Sequence, residues 1–343
     1  MIIDNLKITG FRNLGKEEFT FSPTTNLIHG QNGAGKTSVL EAIFLLAYGK
    51  SFLNRKKADL VKYGDQYFSV HLHVNGNTGA NAVTGFYQHY KKFLLQLDQK
   101  NSGIFHINRY LYPVFFSSAD YHLYIESMPY TRKMIDRFIF GIDSLYIKHL
   151  LSYNKVLKQK NQLLKTDGRT AELRSWNKII GELSEKIVGT KMAFVEKLNS
   201  ELKSSFDKRL EVAYEPSFDT ATGISRENFF RQLQDLEPGE TKTRRSLKGP
   251  HRDNYYLRLD DKHLKMYSSG EKKINLLMIY IAFIRLFNMT KNEYPVFLID
   301  DFDVAMDDRN IRRLIESYPE MQVIATSVNR HPGFSRSIHL MNN

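Results

Sequence analysis

The sequence predicts an α/β phosphate-loop fold with an antiparallel β-subdomain and an inserted α-helical arm. Three observations lead there. Gly30-Gln31-Asn32-Gly33-Ala34-Gly35-Lys36-Thr37 fits the pattern G-x-x-x-x-G-K-[ST] without a substitution. Pro295-Val296-Phe297-Leu298-Ile299-Asp300-Asp301 reads as a buried strand closing on two carboxylates. Between them, from about Ser127, glycines and β-branched residues thin out and a charged 3.6-residue periodicity takes over.

Residues 2–21 alternate through Leu6, Ile8, Phe11, Phe19 and Phe21, which predicts a strand pair turning near Asn13-Leu14-Gly15. The apolar Asn26-Leu27-Ile28-His29 then leads into the phosphate loop, and an amphipathic helix over Val39–Ala47 leads out, its N-terminus aimed at an anion. Within the loop, Gly30, Gly33 and Gly35 let the backbone fold tightly, so successive N–H groups point inward. Lys36 reaches β- and γ-phosphates as a mobile point charge, and the Thr37 hydroxyl suits Mg²⁺. The loop from Gly30 through Gln31, Asn32 and Ala34 to Ser38 is therefore the expected ATP-binding element. Chance alone produces such a match in roughly one chain of this length in a hundred.

A basic loop, Ser51 to Lys57, follows the helix. Tyr67 to Val74 and Ala82 to Tyr90 read as antiparallel strands around Asn-Gly turns, with Phe93 to Leu97 adding another and Tyr112 to Phe116 a buried strand. The helical insert carries apolar stripes through Tyr146, Leu150, Tyr153 and Leu157, then Leu173, Trp176, Ile180, Leu183 and Ile187, then Met192, Val195, Leu198 and Leu202. Thr166-Asp167-Gly168 breaks the first from the second. These stripes predict an antiparallel arm over 126–205, inserted between head segments 1–125 and 206–343. Strand Leu210 to Tyr214, helix Arg226 to Leu236 and a basic loop Lys242 to Lys248 open the last segment.

Composition narrows the partners. The 343 residues hold 49 Lys plus Arg against 37 Asp plus Glu, a formal net charge of +12. That excess points to a polyanion, nucleic acid before membrane. The absence of cysteine excludes disulfides and thiolate metal sites and suits the cytoplasm. The start, Met1-Ile2-Ile3-Asp4, has an early acid and no long apolar run, unlike a signal peptide. The longest apolar stretch, Ile274 to Phe287, contains Asn275 and Arg285 and is too short to span a bilayer, so it reads as a buried helix.

The carboxylates after strand 295–299 complete the expected nucleotide site. In phosphate-loop ATPases the first acid, here Asp300, supports Mg²⁺, and the next, Asp301, orients or polarises the attacking water. Asp307 follows six residues on, and the polar tip of strand Met321 to Ser327 is expected to face the γ-phosphate. Tyr267-Ser268-Ser269-Gly270-Glu271-Lys272-Lys273 sets a serine and a glycine at the N-terminus of the long apolar helix, where hydroxyl and N–H groups meet an anion.

That last stretch resembles the signature motif of ATP-binding-cassette (ABC-type) ATPases, with Ser269 where glycine is usual and Glu271 where glutamine is usual. The resemblance implies an ABC-type ATPase head in which Ser268, Ser269, Gly270 and Glu271 serve the nucleotide of the opposite subunit. Ile8-Thr9-Gly10-Phe11-Arg12-Asn13 is similar to the chromosome-maintenance and recombination branch, which adds Arg12 to the nucleotide-contacting residues. Tyr130 to Asp136, Tyr153 to Lys165 and Gly249-Pro250-His251-Arg252-Asp253 resemble the RecF family of bacterial recombination mediators. Membership would imply a cytoplasmic, weakly hydrolysing ATPase using ATP and Mg²⁺. It would form a homodimer on ATP at gapped or junction DNA and work with RecO and RecR to load RecA. Ser117-Ser118-Ala119-Asp120 lacks the proline and acid usual there, and Val304 replaces a serine. A transporter's ATPase subunit would instead need a coupling surface for a membrane partner, and a structural chromosome-maintenance head needs far longer coiled coils.

Overall fold

The computed structural model describes residues 1–166, 170–206, 209–302 and 318–341. Asp307 and Val304 lie outside the described residues. In chain order the first elements are β1 (Ile2–Phe11), β2 (Leu14–Thr20), β3 (Thr25–His29), α1 (Lys36–Tyr48), β4 (Tyr67–Gly76), β5 (Gly79–Gln88), β6 (Leu94–Leu97), β7 (Lys100–Asn101), α2 (Ile104–Ile107) and β8 (Pro113–Ser117). There follow α3 (Tyr121–Glu126), α4 (Met128–Ile142), α5 (Ser144–Leu163), α6 (Thr170–Phe206), β9 (Leu210–Glu215), α7 (Arg226–Asp235), α8 (Glu237–Thr243), β10 (Asn254–Leu259) and β11 (Lys262–His263). The chain ends with α9 (Ser269–Lys291), β12 (Val296–Asp300), β13 (Val323–Ser327) and β14 (Arg336–His339).

Contacts divide the chain into two compact units, 1–121 with 269–343, and 122–268. The sequence reading returned 206–268 to the head; by contact these residues group with the helices, because β9 packs on α6 and pairs with β10.

The first unit has two sheets. One is antiparallel for its main strands, in the order β2-β1-β4-β5-β6-β7, and the other is wholly parallel, β14-β3-β13-β12-β8. Patterning explains the difference. In β4 the inner residues Phe68, Val70, Leu72 and Val74 are buried and alternate with Tyr67, Ser69, His71 and His73 on the other face. β12 and β13 are buried at every position, as parallel strands covered on both faces must be. Helix α1 lies between the sheets, touching β1, β4 and β5 of one and β8, β12 and β13 of the other. Twelve of its residues are buried, so its sequence is apolar nearly all round rather than striped. Helix α9 packs on β8. The whole helix, unlike its apolar centre, is long enough to cross a membrane, but Leu276, Ile279, Tyr280, Phe283, Ile284 and Phe287 are core residues.

In the second unit α6 is one continuous helix, so the second and third apolar stripes share it. α5, α7 and β9 pack on α6, and β11-β10-β9 form a small antiparallel sheet. Lys155, Lys158 and Lys165 are exposed, as a basic face requires. Lys160 is not part of that face: it is fully buried, with its Nζ 2.6 Å from the buried Glu240 carboxylate. Of Gly249–Asp253, Gly249, Pro250 and Asp253 are buried, His251 is half-buried and Arg252 is exposed. Asp253 takes hydrogen bonds from Lys191 Nζ (2.9 Å), Tyr214 Oη (2.6 Å) and the Ser217 N–H (2.9 Å). Arg132 donates to the His251 carbonyl, and Tyr153 shares a hydrogen bond with His251 Nδ1. Burial pushes His251 down to about 4, which keeps the imidazole neutral in this apolar setting.

Candidate nucleotide site

The site forms where parallel strands end. β3 runs into the phosphate loop and β12 ends on Asp300, with β13 hydrogen-bonded between them. Ligands bind beyond the carboxyl ends of such strands, and here the carboxyl ends of β3, β13 and β12 lie side by side. The loop's fit is tight enough to exclude side chains at two glycines. A Cβ on Gly30 would lie 2.2 Å from the Leu340 carbonyl oxygen. Gly35, with φ of +103°, caps α1, and a Cβ there would meet the Leu14 side chain at 2.5 Å.

Lys36 is buried and folds back over the loop, donating to the carbonyls of Gly30 (2.8 Å) and Gln31 (3.0 Å). A phosphate entering the loop competes directly with those carbonyls for the ammonium. The loop crest, Gln31 to Gly33, is exposed, whereas Ala34, Gly35 and Ser38 are buried. Asn13, missed by the sequence reading, clamps the crest. Its Nδ2 donates to the Gly33 carbonyl at 2.6 Å, and its Oδ1 accepts from Ser38 at 2.8 Å. Its place beside Arg12 in the Ile8–Asn13 stretch was the available signal.

Thr37 donates to both oxygens of Asp300, at 3.1 and 3.2 Å. Thr326 also donates to Asp300, at 2.7 Å, and its hydroxyl accepts from the Asp301 N–H at 2.9 Å. Thr326, in the polar tip of β13, thus holds both acids. Burial pushes Asp300 up to about 6, offset in part by those hydroxyls and raised further by the Asp301 carboxylate beside it. Two hard oxygen donors side by side, one of them a carboxylate short of counter-charge, fit Mg²⁺, which takes one or two protein oxygens and completes its shell with phosphates and water. The described residues hold no cluster of three His, Cys, Asp or Glu that would bind a metal unaided.

A cavity of about 560 Å³ opens over the loop, of a size that takes a nucleotide. Arg12, Asn13, Lys36, Thr37, Ser38 and Asp301 line it, and so do Arg55, Asp59, Val61 and Tyr63, which sequence reasoning left out. Nothing local marks those four; the bridge from Phe11 to Val61 brings their segment beside β1. The structure does not bring every expected residue here. Ser269, Gly270 and Glu271 are exposed and do not line this cavity. Ser268 is exposed too, and a Cβ on Gly270 would meet nothing within 4 Å.

Asp300 offers a test in the nucleotide-free protein. Its folded value is raised above the unfolded 3.8, so the folded state keeps a proton that the unfolded chain has lost. Stability therefore falls as pH rises from about 4 to about 6, by about 3 kcal/mol in all, and stays low above that. Asp300→Asn should raise the denaturation midpoint at pH 8 and bring no gain at pH 4. Equal effects at both values would show that ionisation of Asp300 carries no cost.

Comparison with known proteins fits this geometry. The profile described as RecF/RecN/SMC N terminal domain matches residues 2–334. The DNA replication and repair protein RecF of Acetivibrio thermocellus is 31% identical, over 96% of this chain and 94% of that protein. The chain belongs to the RecF family. The RecF of Ruminiclostridium cellulolyticum is 29% identical over 96% of this chain and 93% of its own length. A solved structure of the recombination mediator protein RecF with ATP superposes with a TM-score of 0.87 at 26% identity, covering 97% of this chain and 93% of that one. An Smc head bound to the C-winged helix domain of ScpA shares the fold alone, at a TM-score of 0.58 and 17% identity. The ABC-type head with an inserted helical arm, expected from the motifs, is thus the RecF fold.

Proposed function

We propose that this RecF-family chain is an ATP-dependent DNA-binding protein of replication-linked repair, in which two copies close around ATP. The observation that carries the reading is a divided set of motifs. The phosphate loop, Thr37 and Asp301 line one cavity, and Thr37 donates to Asp300 behind it. The signature residues Ser269 to Glu271 are exposed elsewhere, with open space around Gly270 that no internal packing requires. A second copy placing its signature over the loop would use both.

In that arrangement the loop N–H groups and Lys36 hold the phosphates, and Arg12 adds a charge from the cavity wall. Thr37 and Asp300 would hold Mg²⁺, whose positive charge stabilises the phosphates as they transfer. Asp301, held by its backbone to Thr326, would orient the attacking water. Asp307 is kept as a nucleotide-site residue from the sequence pattern. A solved RecF is described with ATP and in the RecFOR pathway, which supports ATP as the ligand and RecO and RecR as partners, with RecA loading downstream. Turnover is expected to be slow and stimulated by DNA, in the cytoplasm.

DNA contact is phosphate-driven on this reading. Arg55, Lys56, Lys155, Lys158, Lys165, Arg244 and Arg245 are all exposed, in a chain of net charge +12. Affinity for gapped duplex with ATP should fall steeply with salt, log K against log salt having a slope near −0.9 per neutralised phosphate. Titration at four salt concentrations on two unrelated sequences checks this. A flat response, or strong preference for one sequence, would overturn it.

A further inference from the structure

Glu41 sits in the middle of α1, an otherwise apolar helix between two sheets, and its side chain is fully buried. A carboxylate there needs strong partners, since an unpaired buried charge is costly. It has two. One oxygen accepts from Arg12 Nη1 at 2.8 Å, and the other from the Ser51 hydroxyl in the loop after α1. Arg12 is a cavity-lining residue, and its own backbone is fixed: φ is +54°, and its N–H donates to the Leu60 carbonyl at 2.8 Å. The guanidinium has five N–H donors in a rigid fork, and Glu41 takes one nitrogen of that fork. Arg12 remains about one-fifth exposed and lines the cavity.

We propose that Glu41 is a positioning residue for nucleotide binding. Its buried carboxylate, braced by Ser51, holds the Arg12 fork against the cavity wall with free donors facing an incoming phosphate. Without the brace the long arginine side chain samples many rotamers, and binding must pay for its ordering. The inference rests on the nucleotide-site reading above.

The test is a double-mutant cycle on the full chain, read as the Kd for a fluorescent ATP analogue, with thermal unfolding recorded beside it. Glu41→Gln should weaken binding about tenfold in the wild-type background and less than about twofold in Arg12→Ala, whose binding is already reduced. Ser51→Ala, which leaves Arg12 and Glu41 in place, should give a smaller loss that also vanishes in Arg12→Ala. Equal losses with and without Arg12 would mean that Glu41 acts only through the fold of α1, and the proposal fails. If Glu41→Gln does not fold, Ser51→Ala carries the same cycle alone, and additivity there sinks it. Wild-type protein that binds no analogue at all would instead defeat the nucleotide-site reading.

Discussion

Lys36→Met should abolish ATP binding, while Asp301→Asn should bind ATP normally and turn it over slowly. On the proposed reading Lys36 would hold phosphate oxygens in ground and transition states alike, through charge-assisted hydrogen bonds worth about 1.5–3 kcal/mol each. Losing two of them weakens binding by at least about a hundredfold. The loop itself survives: in the free protein the ammonium only caps the Gly30 and Gln31 carbonyls, one of which is part-exposed to water. Asp301 lines the cavity, and its backbone is fixed by Thr326 at φ of +50°. On the proposed reading it acts on the attacking water, so its loss slows turnover and spares affinity. Calorimetric titration and single-turnover assays separate the two. Tight binding by Lys36→Met, or wild-type turnover by Asp301→Asn, would contradict the assignment.

The second large effect lies far from that chemistry in sequence. Asp253→Ala should destabilise the 122–268 unit by about 3–5 kcal/mol, because it strands the Lys191 ammonium in the interior. Lys191 is 1% exposed and Asp253 is 0%, so water cannot replace the lost carboxylate. Tyr214 and the Ser217 N–H lose an acceptor at the same time. Guanidinium unfolding followed by the single tryptophan, which lies in α6, reads the loss. Asp253→Ala with Lys191→Met should recover part of it, since no buried charge remains unpaired. A loss below about 1 kcal/mol would mean that the network does not hold the unit together.

Much of this was legible from local signals. The phosphate loop, its strand and its helix are contiguous, so their chemistry is set within a few residues. The hairpin of β1 and β2, the β4–β5 pair and the strand ending at Asp300 follow from alternation and turn residues. What the sequence did not disclose depends on distant partners. Lys160 belongs to a basic run, and only the approach of Glu240 shows that it is interior. Gly249–Asp253 was read as a family mark, and its neighbours Lys191, Tyr214 and Arg132 come from other elements. β10, which directly follows it, was not foreseen, and pairing with β9 is what makes Asn254 to Leu259 a strand. The amphipathic helix expected over Val39–Ala47 is buried throughout, and its one acid, Glu41, pairs with Arg12.

A nucleotide site built from two chains, as proposed, can be tested by mixing two inactive variants. Lys36→Met and Ser268→Arg should each be inactive alone, the first for want of phosphate binding, the second because a bulky cation crowds the signature at the start of α9. Mixed together they form heterodimers with one doubly damaged site and one intact site. ATPase activity should then reappear, up to about half of the mixed dimers' sites if sites act independently. ATP-dependent dimerisation of the mixture, by sedimentation, should appear with it. Activity that stays absent at every ratio, with no ATP-dependent dimer, would contradict a site shared between two copies.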